Sequence, residues 1–303
     1  MNVLFFFLIR YIYPEFISFF EYFLKINEDY VVNIKSGKIS SINIFQSNVI
    51  FHQMIRKKSD GRFWEIDFLR GIAIILMVGF HFIYDLNHIR IIYYKLWEGP
   101  FDYASKIVAS VFFVLVGISL TIRYNRVKNK DSAENIRSQF FIRGIKLIGL
   151  GLIITIISWL IIPDRFVIFG VLHCIGVSII LAIPFINKKM ITIFLGGIII
   201  IIGIYLKFIT IDVNWFIPLG FVPPKFFSID FFPLFPWFGI VLIGISLGHY
   251  LYPNGNRRIR LPINDQKKYI KNICFLGRHS LYIYFLHQPI LFAVIFFILQ
   301  PLL

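Results

Sequence analysis

Seven apolar stretches, each about as long as a lipid bilayer is thick, dominate this 303-residue chain and leave it few folds to choose from. They run at about 68–86, 104–122, 141–162, 166–186, 190–208, 231–252 and 276–299. Each has roughly 19 to 24 residues, which suits about 30 Å of hydrocarbon. Backbone amides in lipid must be satisfied within their own segment, so all seven are expected to be helices. The fold class is therefore all-α, a polytopic membrane helix bundle of about seven transmembrane helices. Composition agrees, with 58% hydrophobic and only 16% charged residues, more apolar than a soluble core requires.

A net charge of +15 would suit nucleic acid, but its placement argues against that partner. Arg56, Lys57, Lys58 and Arg62 precede the first span, and Arg123, Arg126, Lys128, Lys130, Arg137 and Arg143 gather between the second and third. Lys188 and Lys189 separate the fourth and fifth, and Arg257, Arg258, Arg260, Lys267, Lys268 and Lys271 the sixth and seventh. The intervening loops balance their few cations with Asp85, Glu98, Asp102, Asp164, Asp212 and Asp230. Positive charge marks the cytoplasmic side, so residue 62 is expected in the cytoplasm and the C-terminus outside, in a multi-pass protein of the cell membrane. The basic face also suits anionic membrane lipids. No soluble basic domain interleaved with aromatics exists, which leaves no place for nucleic acid. Cys174 and Cys274 fall toward opposite faces on this topology, so neither a disulfide nor a thiol metal site is expected.

Residues 1–55 differ from the rest and read as an N-terminal extension to a transmembrane domain at 56–303. Arg10, Pro14, Glu15 and Glu21 interrupt the aromatic-rich first segment, which favours an interfacial helix over a spanning one. Arg10 follows the apolar run instead of preceding it, unlike a signal peptide. Met54 stands just before the basic segment, so one expectation is that the native protein starts there.

The first span carries the chemistry. It opens on Asp67 and Arg70 and closes on His81, Tyr84 and Asp85, and ionisable groups at such depth are expensive enough that function is their default reading. Arg70 and His81 are eleven positions apart, so they return to nearly one helix face about 16 Å apart along the axis. A long anionic donor with a reactive tip fits that spacing, as acyl-CoA does: phosphates at Arg70, thioester toward His81. His81 would act as general base, and Asp85, one turn on, would orient the imidazole and stabilise its cation.

The resemblance to known proteins rests on these residues and on later ones. Asp67-x-Leu69-Arg70-Gly71 followed by an apolar run and His81 resembles the Arg-x10-His first-helix motif of acyltransferase family 3. A closer similarity is to the catalytic domain of the heparan-alpha-glucosaminide N-acetyltransferase family and its prokaryotic homologues, within the same transmembrane acyltransferase superfamily. It is carried by Ile66-Asp67-x-x-Arg70-Gly71-Ile72-Ala73, Trp97-x-Gly99 and Gly170-Val171-Leu172-x-x-x-Gly176-Val177. Phe235-Pro236-Trp237-Phe238-Gly239 and Leu276-Gly277-Arg278-x-Ser280-Leu281-Tyr282-x-Tyr284-x-x-His287-x-Pro289 resemble later segments. The resemblance spans roughly residues 60–299 and implies transfer of an acetyl group from cytoplasmic acetyl-CoA to an extracytoplasmic glycan or lipid-linked sugar. One departure bears on the acceptor. The family's catalytic histidine is usually assigned in the outer loop before Trp-x-Gly, with an Asn where this chain has His81. Here Tyr93, Tyr94 and Lys95 precede Trp97, so His81 follows the acyltransferase family 3 pattern and His88 is the nearest loop substitute.

Other residues complete the expected site. Arg278, singled out by its motif, joins Arg70 for the donor, with Arg143 and Arg257 as further phosphate ligands. Trp97 and Glu98 in the outer loop, together with His173 and His287 within the bundle, are candidates for the acceptor, against their plainer readings as an aromatic belt and as interhelical hydrogen bonds. Pro223-Pro224, Pro233 and Pro236 break the entrance to the sixth span and can free carbonyls for an acceptor cleft. No activated Cys or Ser stands beside His81, which favours direct transfer over an acyl-enzyme, and no metal is expected. The expected partners are an acyl-CoA, a sugar amine or hydroxyl and lipid, with a homodimer left open. Two other classes compete. A transporter would use the same buried charges as a proton or substrate path, although no inverted repeat is evident. A haem-bearing redox protein would use the three membrane histidines, although no spacing among them is diagnostic.

Overall fold

The computed structural model describes residues 62–295 apart from 97, 212, 225 and 260–266. The expectations for residues 1–55, Trp97, Arg260 and the chain end lie outside the described residues. The helices are α1 (Trp64–His88), α2 (Gly99–Val127), α3 (Ala133–Ile161), α4 (Val171–Ala182), α5 (Lys189–Leu206), α6 (Leu234–Leu251), α7 (Lys268–Arg278) and α8 (Ser280–Val294). Strand pairing among the described residues amounts to two isolated bridges, Phe169 with Phe231 and Thr210 with Val222. This is the all-α membrane bundle that the apolar pattern predicts, and α1, α2, α3, α5 and α6 are long and apolar enough to cross a membrane.

Two expected spans differ. The fourth does not begin at 166: Pro163 and Asp164 stop α3, residues 162–170 run as loop, and α4 starts only after Gly170. It is short, extended by a 3-10 turn at Ile183–Phe185, and buried on almost every side, as suits a helix enclosed by others. The seventh is two helices. Lys268, Lys271, Asn272 and Arg278 alternate with Ile270, Cys274 and Gly277, so α7 is amphipathic and lays its apolar face on the bundle. The chain then breaks at His279 before the apolar α8 begins.

Close approach between helices depends on small residues, which let backbones meet where lipid offers no hydrophobic drive for association. Gly117 and Gly244 join α2 to α6, Gly196 and Gly239 join α5 to α6, and Gly144 and Gly176 join α3 to α4. Val241, Leu242 and Ile245 of α6 are fully buried between those neighbours. The outward faces of α3 and α5 present Ile156, Trp159, Leu160, Phe194, Ile198 and Ile201, the surface a helix turns toward lipid. Local signals set the ends. Ser132 caps α3 by accepting the Asn135 N–H at 3.2 Å, and Pro100 sits in the first turn of α2.

Candidate active site

The first-helix and last-helix motifs meet at the basic-loop end of the bundle. Gly71 packs on the Ile273 backbone and Gly277 on the carbonyl of Asp67, so close that any side chain on either glycine would collide. Arg278 therefore follows directly on the contact with α1; it is exposed at the end of α7. Arg70 turns inward. Its Nη2 donates to the Ser119 hydroxyl of α2 at 2.9 Å, and its Nη1 lies 3.7 Å from buried Asp67. Arg143 of α3 is close enough to Arg70 and to Arg123 of α2 for its charge to be repelled by each of them. Arg70, Arg123 and Arg143 thus gather three guanidinium groups at this end of the bundle, a donor set that suits an anion such as a phosphate.

Arg257 is differently engaged. Its Nε and Nη2 donate to the two carboxylate oxygens of Glu65 at 2.8 and 2.5 Å, and the Tyr252 hydroxyl donates to the same carboxylate at 2.8 Å. Burial, then the hydrogen bond to Glu65, pushes the Tyr252 phenol up from its ordinary value. This bidentate pair ties the entry of α1 to the segment after α6.

About three turns further along α1 stands a second polar group, shared with α8. The rings of His81 and His287 are in contact, with centroids 4.8 Å apart and planes at 57°. One turn outward, the Gln288 amide donates to Oδ1 of Asp85 at 2.9 Å, and Asp85 is 1% exposed. The sequence pairs Asp85 with His81; the structure pairs it with Gln288, and no hydrogen bond joins Asp85 to His81 among the described residues. The reason is geometric: side chains at i and i+4 share a face, but α8 lies against that face and supplies each with its own neighbour. Nδ1 of His287 donates to the Tyr284 carbonyl at 2.6 Å. Three acceptors in this seam, Oδ2 of Asp85, Oε1 of Gln288 and Nε2 of His287, are buried without a partner among the described residues, and such atoms each carry a penalty of about 1–3 kcal/mol until a donor arrives.

A further node lies where the loop before α6 meets α4 and α8. Oδ2 of Asp230 accepts the Val171 N–H and the Tyr284 hydroxyl, each at 3.1 Å, and so caps α4 with a negative charge at its N-terminus. Burial raises the Asp230 carboxyl to about 6, against the pull of those two hydrogen bonds. His173 belongs to the same end of α4: its Nδ1 accepts the Gly170 N–H at 3.3 Å, its ring packs on Gly151 of α3, and its Nε2 is buried without a partner among the described residues. His173 thus joins the Asp230 node; its ring contact is with Phe169. Cys174, the next residue, is a free thiol facing the Pro233 carbonyl at 3.8 Å. Glu98 is exposed and paired with Lys95 at 3.2 Å at the start of α2.

Sequence reasoning passed over Gln288, Tyr284 and Asp230. Gln288 had a usable signal, a polar amide inside an apolar run beside an already chosen histidine. Asp230 had none, because its partners lie 54 and 59 residues away.

An all-α membrane bundle with an arginine cluster toward one end of its first helix and an imidazole pair toward the other places the chain in the class of polytopic helical membrane proteins. The family model described as heparan-alpha-glucosaminide N-acetyltransferase, catalytic, matches residues 62–289, and the chain belongs to that family. The match covers the bundle from α1 into α8 and points to membrane acetyltransferase chemistry. No curated protein and no solved structure matches the chain.

Proposed function

We propose that this protein transfers an acetyl group from cytoplasmic acetyl-CoA to an amine or hydroxyl of an extracytoplasmic glycan or lipid-linked sugar at the cell membrane. Arg70 and Arg143, with Arg123 and the exposed Arg278 beside them, receive the donor's phosphates. His81, some 16 Å further along the same helix face, removes the proton from the attacking amine or hydroxyl. Asp85 and Gln288 receive the acceptor's remaining N–H or O–H groups, with His173 and Glu98 toward the sugar. Arg257 has no part in donor binding in this reading, because Glu65 occupies its fork.

The observation that carries the reading is the placing along α1 of an arginine cluster, where Arg143 stands near Arg70 and Arg123, and of a buried seam where Oδ2 of Asp85 and Oε1 of Gln288 have no hydrogen-bond partner among the described residues. An acyl-CoA offers its phosphates to the first, and a sugar amine or hydroxyl offers donors to the second. Family membership supports the same chemistry. The test is purified protein in lipid nanodiscs, incubated with radiolabelled acetyl-CoA and a panel of amino and neutral sugars. Labelled sugar from the wild type, and a rate about 10²- to 10⁴-fold lower from His81→Ala with donor binding retained, is the expected result. Transfer by His81→Ala at the wild-type rate would remove His81 as base.

A further inference from the structure

We propose that His287 is the positioning residue for His81: its Nε2 receives an N–H of the His81 ring and holds that ring as the base. This inference rests on the acetyl-transfer reading above. The geometry fixes the tautomer of His287. Its Nδ1 lies 2.6 Å from the Tyr284 carbonyl oxygen, and a carbonyl only accepts, so Nδ1 carries the proton and Nε2 carries a lone pair. That Nε2 is buried and has no partner among the described residues, a costly state for an acceptor. The ring in contact with that of His287 is His81, at 4.8 Å between centroids with the planes at 57°. The ring torsion of a histidine is broad, so a small rotation of His81 turns an N–H onto the waiting lone pair.

The carboxylate that the sequence offers for this part is engaged elsewhere, since Asp85 accepts from Gln288. Other titratable groups about the pair are Tyr84 and Asp85 on α1 and Tyr284 on α8. Asp230 lies beyond the Tyr284 hydroxyl, and Arg165 of the α3–α4 loop lies near Tyr84. None of them hydrogen-bonds either imidazole ring through its side chain among the described residues. The order is then Tyr284 carbonyl, His287, His81, acceptor. One nitrogen of His81 takes the proton from the acceptor's N–H or O–H while that nitrogen or oxygen bonds to the acetyl carbonyl carbon. The carbon–sulfur bond breaks, sulfur leaves with its electron pair, and the imidazolium returns the proton to it as the free thiol. The other nitrogen of His81 keeps its N–H on His287 throughout, which fixes the ring and stabilises its cation.

Two amide replacements separate this role from packing. In His287→Gln the amide oxygen reaches the place of Nε2 and keeps an acceptor for His81. In His287→Asn the shorter amide replaces Nδ1, keeps a donor for the Tyr284 carbonyl and leaves His81 without its partner. In nanodiscs, His287→Asn should lose about 10²-fold in kcat, the lower end of what a positioned base contributes. KM for the acceptor and Kd for acetyl-CoA should stay within a few-fold, and His287→Gln should regain most of the loss. Wild-type kcat in His287→Asn, or equal loss in both variants, would overturn the proposal. So would a His287→Asn protein whose melting temperature and donor binding fall together with turnover, since that marks a structural residue. His81→Ala measured alongside keeps the two readings apart: full activity there defeats the base assignment itself, whereas loss there with an active His287→Asn defeats only the pairing.

Discussion

At the scale of single residues, Asp85 is where sequence and structure part most usefully. As an orienter of His81 it would act on turnover. Bonded to Gln288, with Oδ2 lacking a partner among the described residues, it would act in the proposed reading on binding. Asp85→Asn preserves shape and removes one charged acceptor, a loss of about 1.5–3 kcal/mol, or roughly 10- to 150-fold. We expect that loss in KM for an amine acceptor, with kcat and acetyl-CoA affinity near wild type. A fall in kcat at unchanged KM would return Asp85 to the orienting role. The spacing of Arg70, His81 and Asp85 on one helix was legible in the sequence because helical periodicity is local. Of the neighbours, Arg143 and His287 stood out in the sequence as single residues, but their contacts, and Ser119 and Gln288 altogether, did not, because these groups reach Arg70, His81 and Asp85 only through packing of α2, α3 and α8.

At the scale of elements, five long apolar helices could be read directly, since length and hydropathy alone decide them. The late start of α4 and the break between α7 and α8 could not, because both depend on tertiary cover. The loop 162–170 is held by Ser228 and Asp230 of a distant segment, and α7 is held by its contact with α1. The Gly277 contact makes that docking testable. Gly277→Ala places a methyl into the Asp67 carbonyl, a neighbour that cannot yield without moving the helix. We expect it to lower stability by about 1–3 kcal/mol or more, seen as a lower melting temperature in detergent, with acetyl-CoA binding weakened as Arg70 and Arg278 shift. Gly197→Ala in α5 is the control: nothing lies within 4 Å of its added methyl, and the helix gains about 0.5–1 kcal/mol. Equal melting of the two variants would show that α7 does not depend on close packing against α1.

For the whole molecule, the proposed chemistry requires one orientation, because acyl-CoA is a cytoplasmic metabolite and the arginine cluster must open to it. The alternation of charge supplies the expectation. The α2–α3 connection, the residues before α5 and those before α7 are basic, while 89–98, 162–170 and 207–233 are nearly balanced. The loops of each kind share one end of the bundle if every apolar element crosses once, and the cationic set is the one expected inside. Cysteine labelling tests this cleanly, since both native thiols are buried. Lys130 is exposed in the α2–α3 turn and Trp215 is 90% exposed in the segment before α6. We expect Trp215→Cys to react with a membrane-impermeant maleimide on intact cells, and Lys130→Cys to react only after permeabilisation. The opposite pattern would turn the arginine cluster outward, away from its donor, and would end the proposed direction of transfer whatever the mutants of His81 and His287 do.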